Sequence, residues 1–182
     1  MAVLEILHVP NPMLRKVSVK VAQIDDEVRQ NLTDMMDTLN TTESGVAIAA
    51  PQVGIFKRMV IIHLGRGKRA GEDTPPVYAI NPEILEASEE MEPMEEGCLS
   101  VPEEWAEVTR PSWVKCRYTD LDGNEQIIET EGFLAKCIQH EIDHLDGILF
   151  IDKLSKLKKD VMVRRVKKRD RMEAEALEYD DE

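Results

Sequence analysis

The chain has 182 residues, 42% of them hydrophobic, a size and composition that suit one domain around one core. Apolar runs such as Met59 to Ile62 are far shorter than the roughly 20 residues a membrane-spanning helix needs, and the opening MAVLEILHVP carries Glu5 and His8 where a secretion leader would be apolar. Cys98, Cys116 and Cys137 cannot all pair within the chain, which excludes a disulfide scaffold and predicts a reducing, cytoplasmic setting. The formal charge of -13 disfavours general adhesion to DNA or an anionic membrane, so any phosphate contact must be local. One region is suited to that: Lys153 to Arg171 holds ten Lys or Arg against two Asp, whereas Met172 to Glu182 holds six acids and no base.

Asn11-Pro12 is a helix-capping residue followed by a proline suited to the first helical position, which predicts a short turn. Ile24, Val28, Leu32, Met35 and Leu39 recur at spacings of three and four behind Asp25 and Asp26, the pattern of an amphipathic helix. Val46 to Ala50 reads as a strand stopped by Pro51 and Gly54, and Arg58 to Leu64 as a buried strand followed by a loop, Gly65 to Pro76. Val77 to Asn81 and Glu83 to Ser88 read as two strands around Pro82, and Glu89 to Glu96 as an exposed acidic segment. Val114, Cys116 and Tyr118 alternate with polar residues, and Asp122-Gly123-Asn124 turns the chain into a second run, Gln126 to Thr130, making a hairpin. From Gly132 the period changes: Leu134, Ile138, Ile142 and Leu145 share one helical face, which Gly147 ends. A further helical pattern starting at Leu154 carries the basic run, and the composition after Met172 favours fraying. No internal repeat or domain boundary divides residues 1–182, and 154–182 form a charged helix and tail.

His140-Glu141-Ile142-Asp143-His144 lies on the helix that begins at Gly132 and fits H-E-x-x-H. A spacing of four places both imidazoles on one face, able to share a metal, with Glu141 within reach of a water. A catalytic centre of this type needs a third protein ligand. The metzincin extension fails because Phe150 stands where its third histidine would be. Cys98, in Glu96-Gly97-Cys98-Leu99-Ser100, is the better candidate, since a metal would hold its thiol deprotonated. Cys116 reads as core, and Cys137 shares the histidine-bearing face, where it could line a pocket. His8 and His63 lie in strand-like segments and read as structural or exposed.

Three stretches, Gly45-Val46-Ala47-Ile48-Ala49-Ala50-Pro51-Gln52, Glu96 to Ser100 and Gln139 to His144, resemble in order and spacing the motifs of the peptide deformylase family, and the likeness runs from LEILHVPNPMLRKVS to the terminal helix. The resemblance implies an α+β fold with antiparallel sheets packed around the central H-E-x-x-H helix, an N-terminal helix and a C-terminal helix. It implies metal ligation by Cys98, His140 and His144, natively of Fe2+, with Zn2+, Ni2+ or Co2+ as substitutes; the ligand chemistry alone suggests zinc. The implied reaction removes the formyl group from N-formyl-methionyl nascent peptides and releases formate. Glu141 is its acid–base, and Gln52 with the Leu99 backbone N–H are its oxyanion donors. Substrate would contact Gly45, Val46 and Ala47 on one side and Glu96 and Gly97 on another, with Phe133 and Cys137 at the methionine pocket.

The chain departs from the family at Ala47, where a second glycine is usual and a methyl group now stands, and at Trp105, where a smaller or basic residue is common beside the peptide groove. A cytoplasmic monomer that touches ribosomal RNA through its basic helix completes the expectation. Two other readings are a small metal-dependent amidase or peptidase using the same His-Glu-His core, and a non-catalytic deformylase-like ribosome-binding domain.

Overall fold

Helix formation follows the local signals closely. In the computed structural model, which describes residues 2–66 and 74–180, the Asn11 side chain accepts the Met13 N–H at 3.0 Å and Pro12 opens a 3-10 turn, Pro12–Arg15. Asp25 caps helix α1 (Asp26–Thr41) by accepting the Val28 N–H at 2.9 Å, satisfying one of the amides a helix start leaves unpaired. Helix α2 (Gly132–Leu145) ends before Gly147, whose φ of 73° reverses the chain. A Cβ there would also lie 2.4 Å from the Arg15 carbonyl oxygen.

Five antiparallel strands form the main sheet: β1 (Ala47–Ala49), β2 (Met59–Ile62), β3 (Val77–Ala87), β6 (Trp113–Thr119) and β7 (Glu125–Glu131), in the order β1-β2-β3-β6-β7. A separate hairpin pairs β4 (Met91–Cys98) with β5 (Val101–Pro111). The β1–β2 end is buried on both faces, which explains its continuous apolar runs. Ala47, Ala49, Val60 and Ile62 face α2, whereas Ile48, Met59 and Ile61 meet Val28, Leu32, Met35 and Leu39 of α1. A third cluster joins Val9 and Leu14, Val101 and Val108 of β5, Leu149 to Ile151, and Met162 and Val166 of helix α3 (Lys156–Asp180).

The fold is α+β with antiparallel sheets around α2, as expected, and the β6–β7 hairpin forms where the alternation and the Asp122-Gly123-Asn124 turn place it. Two readings are corrected and a third is refined. The two strands around Pro82 are one strand, β3, whose register to β6 shifts between Ile80 and Glu83. Proline has no N–H to give the ladder, and Asn81, at φ 52°, turns its side chain to the Val21 N–H and C=O instead. Glu89 to Glu96 is exposed as expected except for the half-buried Met94 and the buried Glu96, but from Met91 it is strand β4 rather than a loop. Helix α3 continues through Asp180 rather than fraying after Met172, because the Glu, Ala and Leu residues there are strong helix formers. Of the loop Gly65 to Pro76, residues 67–73 lie outside the described residues. No helix among the described residues is long and apolar enough to cross a membrane.

Candidate metal centre

Three elements converge on one point. Strand β4 ends at Cys98, α2 presents His140 and His144, and the 3-10 turn Ala50–Val53 after β1 carries Gln52. One donor atom from each of Cys98, His140 and His144 lies within 4.8 Å of the others. Cys98 Sγ is 3.2 Å from His144 Nε2, and the two imidazoles meet edge to face with centroids 5.0 Å apart. Phe150, the residue that ruled out a metzincin site, stacks on His140 with ring centroids 6.0 Å apart.

The surroundings favour a cation. Burial opposes a charge on His140, but hydrogen bonds to Cys98 and to Glu96 outweigh it and raise the imidazole to about 10. His144 shifts the other way, pushed well down by burial and then by the charges of His140 and Arg110. Glu141 is 5% exposed, and its Oε2 has no hydrogen-bond partner among the described residues. Burial, with Glu96 adding to it, lifts its carboxyl to about 7. A thiol, two imidazoles and a buried carboxylate oxygen still lacking a partner are the donor chemistry of a catalytic transition-metal site with a water beside it.

Gln52 is fixed at both ends of its amide. Its Oε1 accepts the Ala49 N–H at 2.9 Å, so its Nε2 must face the other way, donating to Ser100 Oγ at 3.1 Å and lying 3.5 Å from Cys98 Sγ. Leu99 occupies the two-residue turn between β4 and β5, immediately after Cys98. The N-terminal segment binds both loops together, since the Leu7 N–H donates to the Gln52 carbonyl and the Val9 N–H to the Ser100 carbonyl.

The residues expected to contact substrate divide into three groups. Gly45 lies beside Leu99, and a Cβ on it would stand 2.5 Å from Thr42 Oγ1 and 3.3 Å from Leu99 Cδ1, so a side chain there would have to push these side chains aside. Gly97 pairs with Trp105 across the hairpin, and the indole covers its backbone so closely that a Cβ would be 2.6 Å from the ring. Val46 and Phe133 are half-buried. Ala47 and Cys137, by contrast, belong to the apolar cluster between the sheet and α2, and the Ala47 methyl is core rather than an obstruction standing in a groove. Glu96 faces inward: its Oε2 is 2.9 Å from His140 Nδ1 and both its oxygens are held by Arg110. Its carboxyl falls to about 2, because hydrogen bonds from His140 and Arg110 overcome the opposing effect of burial.

Sequence reasoning missed Arg110, Ser100, Asp143 and the buried Lys136. Each is defined by a partner distant in the chain, Arg110 by Glu96 fourteen positions earlier and by Asp143 thirty-three positions later. The only local clue was an arginine near the end of a strand, on a face shared with Val108.

Residues 3–160 match the family model of polypeptide deformylase. A peptide deformylase of Phenylobacterium zucineum is 48% identical over 168 residues, 92% of this chain and 97% of that protein. The crystal structure of a peptide deformylase from Ehrlichia chaffeensis in complex with actinonin superposes with a TM-score of 0.87 at 40% identity, covering 94% of this chain and 99% of that one. A Met-Ala-Ser-bound class I type b peptide deformylase from Acinetobacter baumannii is 37% identical with a TM-score of 0.78, over 84% of this chain and 99% of its own. With the Cys98, His140 and His144 cluster in place and a match over most of the chain, the protein belongs to the polypeptide deformylase family, a metal-dependent family of hydrolases.

Proposed function

We propose that this chain removes the formyl group from the N-terminal formyl-methionine of newly synthesised polypeptides and releases formate. The observation that carries the reading is the buried cluster of Cys98, His140 and His144 with the partnerless Glu141 oxygen on the same helix. Cys98, His140 and His144 would hold a divalent metal, which when bound supplies Lewis-acid polarisation of the formyl carbonyl and a more acidic water. Fe2+ is our choice for the native ion, and the same donor set accepts Zn2+, Ni2+ or Co2+.

Glu141 takes a proton from the attacking water and returns it to the methionine amine as the C–N bond breaks. Its carboxylate sits one residue from His140 on the same helix, buried and with Oε2 free of any partner among the described residues, so it is placed to accept and return that proton. The negative charge that develops on the formyl oxygen is met by the Gln52 amide, already turned by the Ala49 N–H, and by the Leu99 backbone N–H. Strand β1 is an edge of its sheet, so an extended peptide can add alongside Gly45 to Ala47, with Gly97 opposite. Val46, Phe133 and Cys137 receive the methionine side chain, and Glu96 acts on His140 rather than on substrate. The Met-Ala-Ser tripeptide in the Acinetobacter baumannii protein supports a product of this type.

Protein loaded anaerobically with Fe2+ or with Ni2+ is expected to release formate from formyl-Met-Ala-Ser, and Cys98→Ser to lose both metal and turnover. No formate from metal-loaded protein would sink the proposal. Retention of metal and activity in Cys98→Ser would favour a different metal-dependent amidase.

Residues 1–182 are taken as a single domain and a monomer of the cytoplasm, consistent with three free cysteines. Its basic helix supports a contact with ribosomal RNA. Arg15, Lys159, Arg164 and Lys167, with Asp160, Val9 and Val163 among them, line a cavity of about 390 Å³ between α3 and the N-terminal turn; Arg15 and Lys159 pair with Asp152, which leaves Arg164 and Lys167 as the cations for a phosphate. Truncating α3 would remove core residues Met162 and Val166, so charge reversal of Arg164 and Lys167 is the cleaner test. Ribosome co-sedimentation should weaken and lose part of its salt dependence, about one unit of log–log slope for each phosphate contact removed. Unchanged binding would overturn the contact.

A further inference from the structure

We infer that Arg110 is a positioning residue for the metal centre, acting through Glu96 on His140; the inference rests on His140 being a metal ligand. Arg110 is 3% exposed, and its guanidinium makes a two-pronged contact with Glu96, Nε to Oε1 at 2.5 Å and Nη2 to Oε2 at 3.0 Å. The same Oε2 lies 2.9 Å from His140 Nδ1. The third prong, Nη1, donates to Asp143 Oδ2 at 2.7 Å, an oxygen also 3.3 Å from Lys153 Nζ.

The backbone under this guanidinium is clamped as well. Lys136 Nζ donates to the Arg110 carbonyl at 3.3 Å and to the Pro111 carbonyl at 2.9 Å, and Gln139 Nε2 donates to Pro111 at 3.1 Å. Lys136, Gln139, His140 and Asp143 are spaced to lie along one side of α2, so the helix that carries the histidines grips β5 directly around Arg110. Glu96 in turn is two residues before Cys98 on β4.

Arg110 therefore ties together the two elements that supply the donors. A carboxylate held at both oxygens cannot rotate, and a fixed acceptor at Nδ1 sets the ring plane and leaves Nε2 as the donor for a metal. The planar fork is required: a lysine ammonium at this position is a single point and cannot span Glu96 and Asp143 with the same geometry. Lys153 and Arg110 balance the charges of Asp143 and Glu96, so the network leaves His140 an acceptor without adding a net charge beside the metal.

The test measures Co2+ binding alone, by chelator competition and by the visible absorption of the bound ion. Arg110→Met should weaken affinity about 10–100-fold and shift the absorption, the range typical for losing a group that orients a ligating histidine. Glu96→Gln should do the same, and the double variant should be no weaker than Glu96→Gln, because Arg110 works only through that carboxylate. Arg110→Lys should restore part of the loss. Wild-type affinity and absorption in Arg110→Met, or losses that add in the double variant, would overturn the inference. If Arg110→Met does not fold, Asp143→Asn carries the test: a loss of a few-fold is expected, and unchanged affinity and absorption would overturn it. Formate release is not part of this readout, so wild-type protein that binds Co2+ but releases no formate from a formyl peptide would refute the proposed reaction and leave the role of Arg110 standing.

Discussion

The β4–β5 hairpin is held at two places by ion pairs that differ in how far their arginines are exposed. On one face, Arg110 near the open end reaches along the hairpin to Glu96; the two are 3% and 7% exposed and engage α2 through Asp143 and His140. Near its turn, Glu103 and Glu104 meet Arg165 and Arg169 of α3; Glu104 is buried, but its partner Arg165 is 64% exposed and Glu103 72%. The first set fixes the direction of individual donors, because desolvated charges have no water to turn to. The second fastens a helix whose outer charges remain solvated. A hairpin carrying Cys98 can thus be rigid toward the metal and loosely adjusted toward α3.

Removing one partner from each place should break that comparison most plainly. Glu96→Ala leaves Arg110 buried without its main partner and should cost about 3–5 kcal/mol in urea unfolding. Arg165→Ala should cost about 1 kcal/mol or less, and less still in high salt. Equal losses would mean that the two places do not differ as described.

Acid sharpens the same contrast. The folded pKa of Glu96, about 2, lies below its ordinary 4.5, so its stabilisation is fully present above 4.5 and is lost as pH falls toward 2. Urea midpoints measured on either side of 4.5 should therefore fall less steeply with acid in Glu96→Gln than in the wild type. A smaller change is expected between the two places, at Gly97. The Cβ of Gly97→Ala would meet the Trp105 ring, but the indole is largely exposed and can swing away. Stability should drop by about 1 kcal/mol, with a visible change in tryptophan fluorescence.

How far the sequence could be read follows from where each signal lives. Helix α2 was legible because its apolar spacing and its H-E-x-x-H motif fall within the same fourteen residues, and the β6–β7 hairpin because strict alternation meets a turn of Asp, Gly and Asn. Cys98 was found through the residues around it. The β4–β5 hairpin was not found, because Glu92, Glu95, Glu96, Glu103, Glu104 and Glu107 make it resemble a solvated segment. What buries Glu96 is Arg110 across the hairpin and His140 on another element, and neither is visible locally. Ala47 looked like a disturbance of the peptide groove from its position in a motif, and only strand alternation in three dimensions directs its methyl into the core.

The most direct test of the account compares formate release from formyl-Met-Ala-Ser by wild-type protein and by Glu141→Ala, each with one metal ion bound per chain. With the acid–base removed and the ligands intact, turnover should fall about 10²–10⁴-fold while metal content stays the same. Undiminished turnover in Glu141→Ala would contradict the role given to the buried carboxylate and, with it, the reading of this site.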